Sequence, residues 1–480
     1  MARLSPARRV ALTVLSEAER TGRYARELLP HAAESAALDP RDAAFALRLA
    51  LGSTATAGCL DDALAPHITK PKALEPSVRM ALRIAVFESL YLKTAPEVVV
   101  SQGVELVRSV SRGAAGLANA VLRRVCENRL SFLSAEDVAE DHREAVARAR
   151  RAGLPVWLVR RIVDSLGEAG AQDVLDAQLE SAPISVHVNP LRTDAVAEAL
   201  EEDGATALGL PGAMRVDRVG ALVRAGAFDR GDLVASDYYA QLIAAVATRE
   251  GTCLEIGAGR GTKTFMMMAH AKRRDLDHDH LALDLYEGKC QANSLRVDRS
   301  GLGEIRFVAG DATDLDACLA VLDKEYRHAA RFDTVFVDAP CSGTGTMRRH
   351  GEIPWRLTPQ ECDRDLPKLQ LAMLRAAADR VAPHGELIYA TCSVLRAENI
   401  GVVTAFWPRR KGRALYPSRC PTLCATREVR TQRQRTISPY AKMLTGYSRA
   451  IPLAMDSMAT SVRALSGSSP GNLNYVSVLN

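Results

Sequence analysis

Two apolar runs that each end in a cysteine constrain this chain more than any other feature. The first is Val335-Phe336-Val337-Asp338-Ala339-Pro340-Cys341-Ser342-Gly343. Three apolar residues, two of them β-branched, predict a buried strand with Asp338 at its carboxyl end. Pro340 cannot donate to a strand ladder, so it stops the strand and turns the chain. The second run, Leu387-Ile388-Tyr389-Ala390-Thr391-Cys392-Ser393, places its cysteine 51 positions after the first. In open α/β sheets, ligands bind outside the carboxyl ends of the strands. Two thiols held at that rim can face one substrate, whereas a lone cysteine is ordinarily a small buried hydrophobe.

A glycine loop strengthens the reading. Thr252-Cys253-Leu254-Glu255-Ile256 predicts a short strand, and Gly257-Ala258-Gly259-Arg260-Gly261-Thr262-Lys263-Thr264 follows it, with a helix expected from Phe265 to Lys272. Glycines allow a tight turn and close backbone approach, and the helix start offers unpaired N–H groups to a ligand. The next strand, Leu281-Ala282-Leu283, ends in Asp284, an acid suited to ribose hydroxyls. Ile305-Arg306-Phe307-Val308 then leads to Asp311, suited to an adenine-side contact. Acids after three successive strands, Asp284, Asp311 and Asp338, fit a nucleoside cofactor with a cationic centre, and nothing resembles a P-loop.

The 480 residues allow several domains, and 47% hydrophobic with 25% charged content suits a globular chain. A net charge of +5 permits a nucleic-acid partner without requiring one. The ten cysteines are scattered with no Cys-x-x-Cys pair, which argues against a disulfide framework or structural zinc and for a reducing cytosol. No apolar run approaches a membrane span, so a cytoplasmic protein with no membrane partner is expected. His278-Asp279-His280 reads as a solvated polar connection rather than a metal site, and lone His187 as structural.

The first 130 residues read as helical. Met80, Ile84, Phe87 and Tyr91 mark one helix face, Val99, Gly103, Leu106 and Val110 a second, and Leu117, Val121 and Val125 a third. Pro155 to Val159 begins another helix. Ile184 to Asn189 alternates like a strand, with a helix near 193–202 and short strands near 213–224 after it. After residue 406, Pro408-Arg409-Arg410-Lys411 opens a basic tail rich in Ser, Thr and Arg that reads as loop or disorder.

The residues also carry family resemblances. Pro6 to Leu12, Leu82 to Glu88 and Asn119 to Arg124 resemble the NusB-type RNA-binding helical domain, which implies an RNA-facing surface with Arg8, Arg9, Arg123 and Arg124 as candidates. Residues 180–405 resemble the RsmB-like (Sun family) RNA cytosine-C5 methyltransferases. The resemblance rests on the loop Gly257–Lys263, on Asp284, Asp311 and Asp338-Ala339-Pro340-Cys341-Ser342-Gly343, and on Ala390-Thr391-Cys392-Ser393. Arg348 to Ile353 and Trp355 also follow the family's pattern. With the NusB-like segment in front, the resemblance extends to the 16S rRNA enzymes of the family.

It implies S-adenosylmethionine as methyl donor and small-subunit rRNA as partner. It makes Cys392 the nucleophile and Cys341 its assistant in release, with Asp338 on the cytosine edge. It assigns Gly257, Ala258, Gly259, Arg260, Gly261, Thr262, Lys263, Asp284, Asp311 and Asp338 to the cofactor. The expected organisation is multidomain. An all-α NusB-like domain spans 1–135, a helical linker with a small α+β domain 136–235, and an α/β Rossmann-like class I methyltransferase domain 236–406; an atypical basic tail occupies 407–480. A monomer is expected. Two departures stand out: Arg260-Gly261-Thr262 where the family has Pro-Gly-Gly, and no Gly-Phe-Phe-like run for a closing strand pair. A non-catalytic RNA-binding or ribosome-assembly factor retaining the fold is the alternative.

Overall fold

The computed structural model describes residues 3–320, 322, 331–406 and 475–479. It forms two compact units, Met1–Ser181 with Thr344–Pro359, and Ala182–Gly343 with Gln360–Asn480. The division near residue 181 differs from the expected boundaries at 135 and 235: the polar helices after 135 join the first unit, and the small sheet after 182 joins the second.

The first unit is helical. Its central helix, Pro76–Leu90, is buried on nearly every face, with Met80, Ile84 and Phe87 inside. Gly52 of the helix Pro40–Ala55 is needed there, because a Cβ would fall 2.0 Å from the Phe87 ring. Val99, Gly103 and Leu106 are buried in Pro96–Val110, and Val121 and Val125 in Ala115–Glu127, but Val110 and Leu117 at the ends of their patterns are exposed. Arg8 is not an RNA-facing group. It is buried, and its Nε and Nη2 donate to Glu88 at 2.8 and 2.5 Å. Arg9, Arg123 and Arg124 are exposed. The segment Thr344–Pro359 packs in this unit, where the Trp355 indole N–H donates to the Ala55 carbonyl at 2.7 Å over Gly58. Among the described residues no single helix is long and apolar enough to cross a membrane; only a pair bent by 76°, Pro40–Ala55 with Ala57–His67, reaches that length together.

The second unit opens with an antiparallel sheet of β1 (Ile184–Val188), β2 (Thr206–Ala207), β3 (Ala213–Val216) and β4 (Leu233–Ala235), in the order β2-β3-β1-β4. The strand expected to run on toward residue 224 gives way to a helical turn, Gly220–Arg224. Its first N–H groups, of Ala221 and Leu222, are capped by the buried Asp203 carboxylate at 3.0 and 2.9 Å. Lone His187 is buried in β1. Its Nδ1 meets the Gln241 side-chain oxygen at 2.9 Å and its Nε2 the Arg273 guanidinium at 2.7 Å. Burial, then Arg273, holds its pKa down to about 4.

Six parallel strands form the main sheet: β5 (Gly251–Ile256), β6 (His278–Asp284), β7 (Arg306–Ala309), β8 (Phe332–Asp338), β9 (Val381–Ala390) and β10 (Tyr475–Leu479). Their order is β10-β9-β8-β5-β6-β7. The chain runs outward one way from β5 through β6 to β7 and the other way from β8 to β9, so the topological switch lies between β5 and β8. That is where such a sheet opens a crevice at its carboxyl edge. Apolar side chains fill both faces, with Leu254, Val335 and Leu387 on one and Phe265, Phe336 and Ile388 on the other. β10 corrects the expectation of a structureless tail, since Tyr475–Leu479 pair with Glu386–Ala390 of β9. The basic run Pro408–Lys411 and the rest of that tail lie outside the described residues.

Candidate active site

The site is built at the switch point. Gly257 follows β5 with φ +81°, and a Cβ there would sit 2.2 Å from the Asp338 carbonyl, so only glycine lets the β5 and β8 ends approach this closely. Gly261, also at φ +81°, is closed in by Asn293 Oδ1 at 2.0 Å from a built Cβ. Gly259 differs: its absent side chain leaves open space, with nothing nearer than 4.0 Å. The loop is tied to the next strand, since the Gly257 and Ala258 N–H groups donate to the Leu283 carbonyl at 2.8 and 3.0 Å, and the Gly259 N–H to Asp284 Oδ2 at 3.0 Å. The helix begins at Thr262, three residues earlier than expected, and runs to Arg274. Arg260 is exposed at the loop's tip and its carbonyl accepts from Arg296 Nε at 2.9 Å.

Asp284 is buried at the end of β6. One carboxylate oxygen holds Gly259 and the other accepts from the Tyr286 N–H at 3.1 Å. Asp311 lies beyond the end of β7, exposed, and caps its own turn by accepting from the Thr313 N–H and hydroxyl; the N–H first, then the hydroxyl, hold its carboxyl below the usual value. Asp338 closes β8 and pairs with Lys263 Nζ at 2.6 Å. Burial pushes the Asp338 carboxyl up, and Lys263 offsets part of this. Burial works against the Lys263 ammonium, but Asp338 outweighs it and raises its pKa.

The two sulfurs meet. Cys341 Sγ and Cys392 Sγ are 3.2 Å apart, Cys341 half-buried and Cys392 exposed. The Cys341 S–H donated to Cys392 holds the Cys392 thiol below its usual value; restricted solvation and Asp338 oppose this, and Lys263 assists. The same hydrogen bond, then burial, pushes Cys341 well up. Of the two, Cys392 is the one whose surroundings favour the thiolate.

Residues the motif reading passed over hold this pair in place. Glu398, fully buried, accepts from the Ser342 N–H at 2.7 Å and the Ser393 hydroxyl at 3.0 Å. The visible signal was the twin Cys-Ser pair with a glutamate six positions after the second cysteine. The His278-Asp279-His280 reading as a solvated connection is overturned, because these residues lie in β6. His278 Nε2 meets His280 Nδ1 at 3.0 Å, and His280 Nε2 meets Glu255 Oε2 at 2.9 Å. Cys253 lies near enough that one donor atom each from Cys253, His278 and His280 falls within 4.8 Å of the others. The four imidazole nitrogens are already engaged by one another, by Glu255 and by the Arg249 carbonyl.

The edge thus offers buried and exposed carboxylates, an open glycine cradle at 259 and a helix start, which fit a cationic nucleoside cofactor. Comparison with known proteins agrees. Residues 243–449 match the family described as 16S rRNA methyltransferase RsmB/F, and residues 5–127 match the NusB family. The ribosomal RNA small subunit methyltransferase B of Thermus thermophilus is 30% identical over 411 residues, covering 84% of this chain and 87% of that protein.

This chain belongs to the RsmB/F family of 16S rRNA methyltransferases.

A probable small subunit methyltransferase B of Bacillus subtilis is 28% identical over 409 residues, covering 83% of this chain and 87% of that protein. The solved structure of PH0851 shares the fold, with a TM-score of 0.67 at 20% identity over 85% of this chain and 91% of that one. As in other RsmB/F enzymes, the methyl donor is S-adenosylmethionine.

Proposed function

We propose that this protein methylates carbon 5 of a cytosine in small-subunit rRNA, with Cys392 bonded to C6 during the reaction. What supports the reading is the pair of sulfurs 3.2 Å apart beside the Lys263–Asp338 ion pair at the switch point of the sheet. Cytosine C5 is a weak nucleophile. Addition of the Cys392 thiolate to C6 forms a C–S bond and pushes electron density toward C5 and N3. In its protonated form, which burial favours, the Asp338 carboxyl donates a hydrogen bond to N3 and steadies the charge that develops there, while Lys263 stays charged beside it. Bound S-adenosylmethionine supplies the electrophilic methyl group. Gly257, Ala258, Gly259, Arg260, Gly261, Thr262 and Lys263 would form its cradle, with Asp284 serving the ribose hydroxyls and Asp311 the adenine side.

Release needs a base. When the C5 proton is removed, its bonding pair restores the C5–C6 double bond, and the C–S pair returns to Cys392 as thiolate. In this scheme Cys341 loses its own proton to solvent once Cys392 is bonded to C6, and as thiolate takes the C5 proton, ending as the thiol while Cys392 leaves as thiolate. The target base must leave its stack to reach the two sulfurs.

Substitution tests the assignment. Cys392→Ala is expected to lower methyl transfer to unmodified small-subunit rRNA by at least about 1,000-fold. Cys341→Ala is expected to retain the bond-forming step and accumulate an RNA–protein adduct visible as a shifted band on a denaturing gel. Full transfer by Cys392→Ala would remove the nucleophile from the scheme. Binding of rRNA without any transfer by the native chain would favour a non-catalytic assembly factor.

A further inference from the structure

Glu398 is a buried carboxylate that the reaction as described does not use. It sits at the end of the short turn Arg396–Glu398, six residues after Cys392. Its side chain reaches back between the two cysteine loops. Oε2 accepts the Ser342 N–H at 2.7 Å and the Gln370 side-chain N–H at 3.2 Å. Oε1 accepts the Ser393 hydroxyl at 3.0 Å. Ser342 follows Cys341 directly and Ser393 follows Cys392 directly. Their hydroxyls also meet each other at 3.1 Å.

The crossbar is itself braced. The Gln370 amide that donates to Glu398 also donates to the Pro340 carbonyl at 2.9 Å, and the Tyr389 hydroxyl donates to the Glu398 carbonyl at 2.7 Å. Among the described residues no cation pairs with this carboxylate, so its burial is compensated by donated hydrogen bonds alone. Neutral donors in that number are a costly way to hold a charge unless the geometry they fix has a use. An apolar side chain would fill the same space but could not join a backbone N–H on one loop to a hydroxyl on the other.

We propose that Glu398 is a positioning residue for methyl transfer: its two oxygens lock the Cys341 and Cys392 loops in register so that the second sulfur meets the proton released at C5. The inference rests on the roles proposed above for the two cysteines. It places the effect on the release step more than on cofactor binding, because Glu398 contacts neither the glycine loop nor Asp284.

The test is Glu398→Gln in the full-length chain. An amide of the same shape keeps one acceptor, which the Ser342 N–H requires, and turns the other position into a donor, so the Ser393 hydroxyl must turn round to accept and the crossbar loses its charge-assisted hydrogen bonds. The expected outcome is a fall in kcat of about 10-fold or more, a KM for S-adenosylmethionine within about twofold of the native value, and an RNA–protein adduct that the native enzyme does not accumulate. The negative charge also disfavours thiolate at Cys392, so its iodoacetamide reactivity is expected to move to lower pH in the same variant, whereas the adduct together with an unchanged KM is the readout that a merely structural role would not give. Ser393→Ala, which removes one hydroxyl and keeps the Ser342 contact, supplies a milder version should Glu398→Gln fold poorly, and is expected to show a weaker adduct. Native turnover, no adduct and an unmoved alkylation profile in both variants would overturn the proposal. If Cys341→Ala with Glu398 intact traps no adduct either, the cysteine roles themselves fail, which is a separate result.

Discussion

Each compact unit holds a close cation–carboxylate pair, one in its interior and one at a rim, and the two are built for opposite ends. In the helical unit, Arg8 grips Glu88 with two donors, and the side chains keep only 11% and 2% of their exposure. In the α/β unit, Lys263 meets Asp338 through one contact of 2.6 Å, and the pair keeps 20% and 24%. The first is closed on itself, and the ring of Phe45 lies 5.1 Å from the guanidinium. The second stands at an open sheet edge beside the Cys392 sulfur. A bidentate guanidinium in the core satisfies both partners and leaves nothing to offer a ligand. A single ammonium at the rim leaves a carboxylate oxygen free for one.

The contrast is sharpest for Asp338→Asn. The isosteric amide cannot be protonated and no longer balances Lys263, so kcat/KM is expected to fall about 1,000-fold, near 4 kcal/mol of transition-state stabilisation. The melting temperature is expected to move by only about 2 °C, because the pair stands at the rim of the sheet, where solvent reaches both groups and the amide keeps the carboxylate's shape. Parallel methyl-transfer and calorimetric measurements decide it. A large melting shift with native turnover would make this pair structural like its counterpart.

Arg8→Met reverses the pattern. It strands Glu88 as a buried, unpaired charge, and about 3–5 kcal/mol of stability is expected to be lost from the helical unit. Denaturant titration followed by circular dichroism reads this directly. Turnover of the folded protein on a short RNA is expected to stay within roughly twofold. A selective loss of rRNA binding at unchanged stability would instead restore Arg8 as an RNA contact.

The same contrast shows what the sequence could disclose. Features set by neighbours along the chain were legible. The apolar runs of β5, β8 and β9, the glycine turn and the acids at strand ends all follow from local pattern, and the sheet places Cys341 beside Cys392 as two strand-end thiols require. Features set by partners far along the chain were not. Arg8 read as a surface charge because Glu88 lies 80 positions away. His278 and His280 read as solvated because consecutive polar residues ahead of an apolar run ordinarily mark an exposed connection. In β6 they point to one face, where Glu255 on the adjacent strand accepts the contact, while Asp279 on the other face pairs with Arg306 at 2.8 Å. Glu398 went unread for the same reason, since its partner Ser342 is 56 positions earlier and only the repeated Cys-Ser pair hinted at it.

The smallest expected effect is also the most direct reading of the open pair. The Cys341 hydrogen bond first, and the Lys263 charge in addition, favour the thiolate form of Cys392, so the native alkylation midpoint is expected below that of an ordinary thiol. Lys263→Met removes the charge, favours the protonated thiol, and is expected to move the midpoint upward by roughly one pH unit. Asp338 complicates the size of the shift. Its negative charge opposes the thiolate, and without Lys263 its carboxyl takes up a proton more readily and stops opposing. The double variant Lys263→Met with Asp338→Asn separates the two contributions. Equal midpoints in the single and double variants would mean that Asp338 is already neutral once its cation is gone; a lower midpoint in the double would mean that it keeps its charge. Arg8→Met serves as the control that must leave the profile unmoved, and an unmoved midpoint in Lys263→Met would show that the rim pair, like the buried one, does not reach the sulfur.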